Sequence, residues 1–400
     1  MPLLPLFDLP LEALRDRATT LGLAVVRPGW RDGLIAAIAQ HLRPADDADV
    51  SAGILEVHTE GFGFLRSPLT DLLPAPGDIY VSQSQIRRFN LRTGDSVVGR
   101  TRAPREGERY PALLRVERVN GASAEVAVTA FADRAVVHPS RELPLATDPW
   151  LAPVERLAPL GQGARGLIVG SARSARSELL RRIALATSAA PDIELLVLLI
   201  GERPEDIADW RGTVSAEIIA TPFDEAAQRH VHVADITFER ARRLAERGSN
   251  VVLLVDAFSR LLRHVIADLP AGGRTIEGVD AAALHRLRGW FATGRDLQGG
   301  GSVTLIGTVD ADAEGALAPA LRRDLADAAT WQVTLSAHAS FLDTHPRVDV
   351  DGTWTRREAA LVGPEEAALR ARLRETLAFE GQDADICAVD ARLRGGHSAG

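Results

Sequence analysis

Four hundred residues, 46% apolar and 25% charged, describe a globular chain long enough for two or three domains, not a disordered or fibrous one. The formal charge of −8 excludes indiscriminate polyanion binding by the whole surface, while leaving room for a local basic strip. A single cysteine, Cys387, excludes a disulfide framework or a multi-cysteine metal site. With no long apolar run and no basic-then-apolar start, the expectation is a cytoplasmic protein with no membrane partner.

Residues 1–48 read as a small helical module. LPLEALRDRATTLGL and WRDGLIAAIAQHLR both carry apolar residues at three- and four-residue spacing, with Pro28 and Gly29 between them. PADDADV, residues 44–50, is a polar linker. The period then changes to two. GILEVH, GFGFLRS, DIYVSQ, SVVGRTR and ALLRVERV are five short strand candidates separated by Gly, Pro, Asp and Asn, which predicts a five-stranded barrel of the OB kind over 49–122. A connector, Pro-rich in its second half, spans 123–160. Over 161–400 the apolar strands GLIVG, ELLVLLIG, VVLLVDA and SVTLIGT alternate with amphipathic stretches such as ITFERARRLAERG. That alternation predicts an α/β core whose mostly parallel sheet is covered by helices on both faces. EEAALRARLRETLAF reads as a terminal helix. The fold class is therefore multidomain: helical module, β-barrel and α/β core.

Within the barrel, aromatics interleave with arginines. Phe62 and Phe64 lie two apart and so share one face of a strand. Residues 51–118 hold ten Arg against eight Asp plus Glu, a local excess of basic charge in an acidic chain. A stacking platform flanked by arginines suits single-stranded nucleic acid, where each stacked base contributes roughly 1–3 kcal/mol. The same residues also suit a structural role, with both phenylalanines in the barrel core and the arginines as a solvated face.

GFGFLRS, DIYVSQSQIRRFNLRTGD and REGERYPALLRV resemble the RNA-binding domain of the bacterial Rho family of transcription termination factors, almost without gaps. The resemblance implies a cleft for pyrimidine-rich single-stranded RNA formed by Phe62, Phe64, Arg66, Asp78, Tyr80, Glu108 and Tyr110, each of the family's residue type. In this reading Phe64 and Tyr80 stack bases, while Arg66, Asp78 and Glu108 read base edges. A carboxylate accepting from an exocyclic amine is one way to prefer cytosine.

The resemblance continues through PLGQGARGLIV, IGERPEDI, FDEAAQRHVHVADI and VVLLVDAFSRLLRH, and implies a RecA-like P-loop ATPase core assembled as a hexameric ring. ATP and Mg²⁺ are the cofactors it brings. Asp256 ends an apolar strand, where an acid holds Mg²⁺ through water; Ser177 supplies a second oxygen for the ion. Glu202 stands at the water-activating position, followed by Arg203; Arg274 is the base of one central-channel loop, LPAGGRTIEGVD.

Four departures point the other way. GLIVGSARSARSELL keeps Gly170 and Ser177 of a phosphate loop, but Ala175 replaces its second glycine and Arg176 its lysine. A Cβ at position 175 is expected to crowd a ligand, and a planar guanidinium cannot simply replace a compact ammonium. All 46 basic residues are arginine, so Arg176 alone is weak evidence of selection. Asp343 stands where the resemblance places a trans-acting arginine, and DADAEGALAPALRRDLADAATW replaces a lysine-bearing channel loop with acidic, Ala-rich sequence. Arg173, Arg176 and Ser177 still offer a helix N-terminus attractive to anions.

The leading expectation is an RNA-binding protein with an idle ATPase, Glu202 included. Such a protein acts as a regulator, or as a non-catalytic subunit of a homo- or hetero-oligomeric ring with an active relative, near RNA polymerase. The alternative is an active ATP-dependent RNA translocase or helicase that terminates transcription. On the first expectation the chain uses no cofactor or binds ATP and Mg²⁺ without turnover.

Overall fold

The computed structural model describes residues 4–23, 29–42, 48–143, 145, 148–171, 175–190, 192–270, 272–312, 317–336, 347–380 and 386–395. The two amphipathic stretches near the start form helices Leu11–Thr20 and Arg31–Leu42. They bury Leu14, Leu34, Ile35 and Ile38 against each other and against Val50 and Val98 of the following barrel.

Five strands close that barrel: β1 (Asp49–Val57), β2 (Gly63–Arg66), β3 (Ile79–Val81), β4 (Ser96–Arg102) and β5 (Ala112–Val119), in the order β1-β2-β3-β5-β4. Its interior is filled by Leu55, Leu65, Ile79, Val81, Val97, Leu113 and Val116. Phe62 and Phe64 lie outside that interior and are half-buried, so the structural reading of the pair as barrel core is wrong. The alternation explains it: Leu65 points in, so Phe64 points out. A helix that the strand pattern concealed, Gln83–Phe89, follows β3. Ser82 and Gln85 form a reciprocal capping box at its start, and Asn90, at φ 49°, ends it.

The α/β core adds β6 (Val136–Val137), β7 (Arg165–Gly170), β8 (Ile193–Glu202), β9 (Glu217–Pro222), β10 (Asn250–Asp256), the hairpin β11 (Thr275–Ile276) and β12 (Val279–Asp280), β13 (Arg295–Leu297), β14 (Ser302–Asp310), β15 (Trp331–Leu335) and β16 (Val348–Thr355). The main sheet runs β16-β15-β7-β14-β10-β8-β9, parallel from β15 to β9, with antiparallel β16 at one edge and β13 joining β14 to β6. Each central strand divides its side chains between two cores. Leu253 and Val255 of β10 share a core with helices Ala227–Glu246 and Phe258–Asp268, while Val252 and Leu254 face Arg176–Ser188. Burial on both faces is why these strands read as continuous apolar runs. The predicted terminal helix forms as Pro364–Glu380 but is not the last element; Ile386–Gly395 follows and buries Ile386 and Val389 in the same core.

Barrel and core meet along helix Ala227–Glu246. Glu246, buried near its end, accepts from Arg92 of the barrel and from the Phe131 backbone at 2.7 Å. Arg240 donates to Asn120 at 2.9 Å. Gly94, at φ 90°, lies so close that an added Cβ would sit 2.5 Å from the helix backbone. No helix among the described residues is long and apolar enough to cross a membrane.

Candidate nucleic-acid interface and strand-end acid cluster

Four aromatic rings and a histidine converge on one outer face of the barrel. Phe64 of β2 is the register partner of Tyr80 on β3, and Phe62 precedes it by two residues. The Phe64 ring lies 4.9 Å from Tyr110, 6.0 Å from Tyr80 and 5.8 Å from Phe62, mostly edge to face. His58 stacks on Phe62 at 5.1 Å with an interplanar angle of 11°. Tyr80 remains 38% exposed, so the cluster offers ring faces to a ligand rather than a sealed core. An adjoining cleft of about 630 Å³ is lined by Tyr80, Tyr110, Gln85, Arg102, Glu108 and Arg109.

Charged side chains lie beside these rings. Arg66 is buried, its guanidinium 5.0 Å from the Phe64 centroid, donating to Glu56 at 2.7 Å and to Asp78. Asp78, also buried, accepts from the Ala75 backbone at 2.7 Å. These two expected base-edge readers are thus engaged with each other beside the platform, while Asp78 Oδ1 has no partner among the described residues. Glu108 is exposed at the rim. Arg102 donates to it twice, at 2.5 and 2.8 Å, and the Arg105 backbone donates at 3.0 Å. Those bonds hold its carboxyl down at about 2, so at neutral pH it is an anionic acceptor beside two tyrosines.

At the carboxyl edge of the parallel sheet, where α/β ligand sites form, β7, β8, β10 and β14 end on Gly170, Glu202, Asp256 and Asp310. Asp256 is buried. Its Oδ1 accepts from Thr308 at 2.6 Å and from Arg260 at 3.2 Å, while Oδ2 has no protein partner. Glu202 shares Arg260 with it. Burial, and then the charge of Asp256, raise the Glu202 carboxyl to about 7 despite the arginine. A buried orphaned carboxylate oxygen next to an acid poised near neutrality is a fitting place for a hydrated divalent cation and an activated water.

The anion side of this edge is different. Helix Arg176–Ser188 begins one residue earlier than Ser177, which is exposed in its first turn. Ala175 has φ −75° and buries its methyl among core side chains. The methyl at this position is packed into the core and not left at the surface. Arg176 is 9% exposed and folds back on the sheet, donating to the Gly170 carbonyl at 3.2 Å and pairing with Asp310 at 3.3 Å. Arg203 is exposed at the start of helix Pro204–Thr213, and Arg274 is exposed beside the β11–β12 hairpin; neither belongs to the acid cluster. Arg173 and Asp343 lie outside the described residues.

Sequence reasoning missed His58, Glu56, Arg260 and Asp310. Arg260 stands in the first turn of the helix that follows Asp256, so the two are close in the chain. Glu56 is the register partner of Phe64 and also meets His232 of the core helix at 3.4 Å, a cross-domain contact with no local signature.

Residues 51–125 match the model of the Rho termination factor RNA-binding domain. Over 377 residues, 92% of this chain and 90% of the relative, the sequence is 38% identical to transcription termination factor Rho of Escherichia coli K12, and equally so to that of Buchnera aphidicola from Acyrthosiphon pisum. The Haemophilus influenzae factor is 39% identical over 346 residues, covering 84% of this chain and 82% of its own. Among solved structures, a prototypical type III secretion ATPase superposes with a TM-score of 0.53 at 20% identity, covering 61% of this chain and 70% of its own. The assembled ATPase EscN of enteropathogenic E. coli gives 0.55 at 19%, covering 66% and 63%. At that identity the two structures establish the core's fold: a RecA-like P-loop architecture.

Proposed function

The chain belongs to the Rho family of RNA-binding transcription termination factors, and on that premise we propose that it captures pyrimidine-rich single-stranded RNA on the barrel and moves along it at the expense of ATP. The observation that carries the RNA half is the outward cluster of Phe62, Phe64, Tyr80 and Tyr110 beside the ionised Glu108. Bases stack on the rings, and Glu108 accepts from the exocyclic amine of cytosine. Arg66, paired with Asp78, packs against the Phe64 ring and holds it in place.

ATP and Mg²⁺ belong to this reading. Asp256 and Ser177 are the residues that would hold the metal, and bound nucleotide supplies the phosphoanhydride whose hydrolysis drives movement. Glu202, ionised in roughly half the molecules near pH 7, orients and deprotonates the attacking water. Subunits of a ring, and contacts with RNA polymerase, fit the same role. Likeness along nearly the whole chain favours this working enzyme over the idle one expected from the loop sequence.

One observation favours the second reading, a regulator or subunit with little turnover: Arg176 is already neutralised by Asp310. Steady-state ATPase assays with and without oligocytidine separate the two. Hydrolysis that rises on adding RNA supports the translocase, whereas tight RNA binding without hydrolysis supports the regulator.

A further inference from the structure

We infer that Asp310 sets the nucleotide affinity of this chain by competing with phosphate for Arg176. The inference rests on the nucleotide site proposed above and deepens it. Asp310 ends β14 directly beside Gly170, its register partner at the end of β7. Its backbone N–H donates to Ser259 at 2.7 Å, which fixes the residue against the helix that follows Asp256. The carboxylate then lies 3.3 Å from Arg176, with side-chain exposures of 15% and 10%. The same Arg176 nitrogen donates to the Gly170 carbonyl, and its buried Nε has no partner.

Two consequences follow from this geometry. An incoming phosphate gains Arg176 only by drawing it from a half-buried carboxylate, so part of the attraction is cancelled before binding begins. Once the arginine turns outward, Asp310 is left as an uncompensated anion next to an anionic ligand, which adds repulsion. Asp310 also joins Glu202 and Asp256 on one sheet edge, raising its negative charge to three carboxyl groups served by Arg176 and Arg260. Asp310 is accordingly a positioning and specificity-determining residue acting through Arg176, and it makes the nucleotide site of this chain a weak one that strengthens when the pair is parted.

The test is titration of a fluorescent ATP analogue with Mg²⁺ into the full chain and into Asp310→Asn and Asp310→Glu, with melting temperature and oligocytidine affinity as fold controls. Asp310→Asn should bind the analogue about tenfold more tightly, Asp310→Glu should bind as the parent does, and RNA affinity should not change. In an Arg176→Gln background the gain from Asp310→Asn should shrink, because its partner in the competition is gone. Equal or weaker binding by Asp310→Asn, while the parent binds, overturns the inference and leaves the nucleotide reading intact. No binding by any variant, with RNA affinity preserved, overturns both.

Discussion

The barrel and the sheet edge of the core place their charges in opposite ways. On the barrel, the buried pair Arg66–Asp78 lies beside the Phe64 ring and leaves the rings of Tyr80 and Phe62 available to a ligand. On the sheet edge, Arg176 and Arg260 turn toward Asp310, Asp256 and Glu202, so the ionic groups of the proposed nucleotide site pair with one another. A site that offers an outward-facing π-surface needs no rearrangement before a ligand stacks on it. One that recognises phosphate through arginines already paired has to rearrange first.

Glu202→Gln breaks the comparison most sharply. It should lower RNA-stimulated hydrolysis by about 10²–10⁴-fold, the usual contribution of a general base, and leave oligocytidine affinity unchanged. A loss of RNA binding in that variant would mean that the two regions are not separable.

Next in size is the pH response. Glu202 binds its proton more tightly when folded, so it is protonated below about 7 and ionised above. Hydrolysis at saturating ATP should therefore rise about tenfold per pH unit toward a plateau above 7, since the base is the carboxylate. By linkage, its contribution to stability is fully present below the ordinary carboxylate range and is lost as pH rises through 7. Glu108 has the opposite shift, held near 2 by Arg102 and the Arg105 backbone, so RNA affinity should be flat across the same interval. An RNA affinity that tracked the hydrolysis profile would contradict the assignment.

Glu108→Gln should weaken the preference for cytidine over uridine, read from paired binding isotherms, with less effect on total affinity. Smallest of all, Ala175→Gly should lower stability by about 0.5–1 kcal/mol, seen as a modest drop in melting temperature, because this residue has ordinary φ and a packed methyl.

The two regions also differed in how far their sequence could be read. Five strands and an outward aromatic pair follow from alternation, because Leu65 and Phe64 must point to opposite sides of a pleated strand. The helix Gln83–Phe89 was hidden because it follows a strand without a break, and its signal is a capping box rather than a period. In the core, Glu202 and Asp256 were legible as acids ending apolar strands. Asp310 was not, since its meaning depends on a partner more than a hundred residues earlier that a parallel register brings alongside. Where the Ala175 methyl sits depends on φ and on what surrounds it, and neither is written in a motif.

The central claim is that the outward rings of the barrel are the RNA platform. Its most direct measurement is the affinity of oligocytidine for the full chain and for Phe64→Ala, taken at one salt concentration with melting curves for both. A loss of about 1–3 kcal/mol at unchanged stability is the predicted result. Equal affinity for a folded Phe64→Ala chain would contradict it.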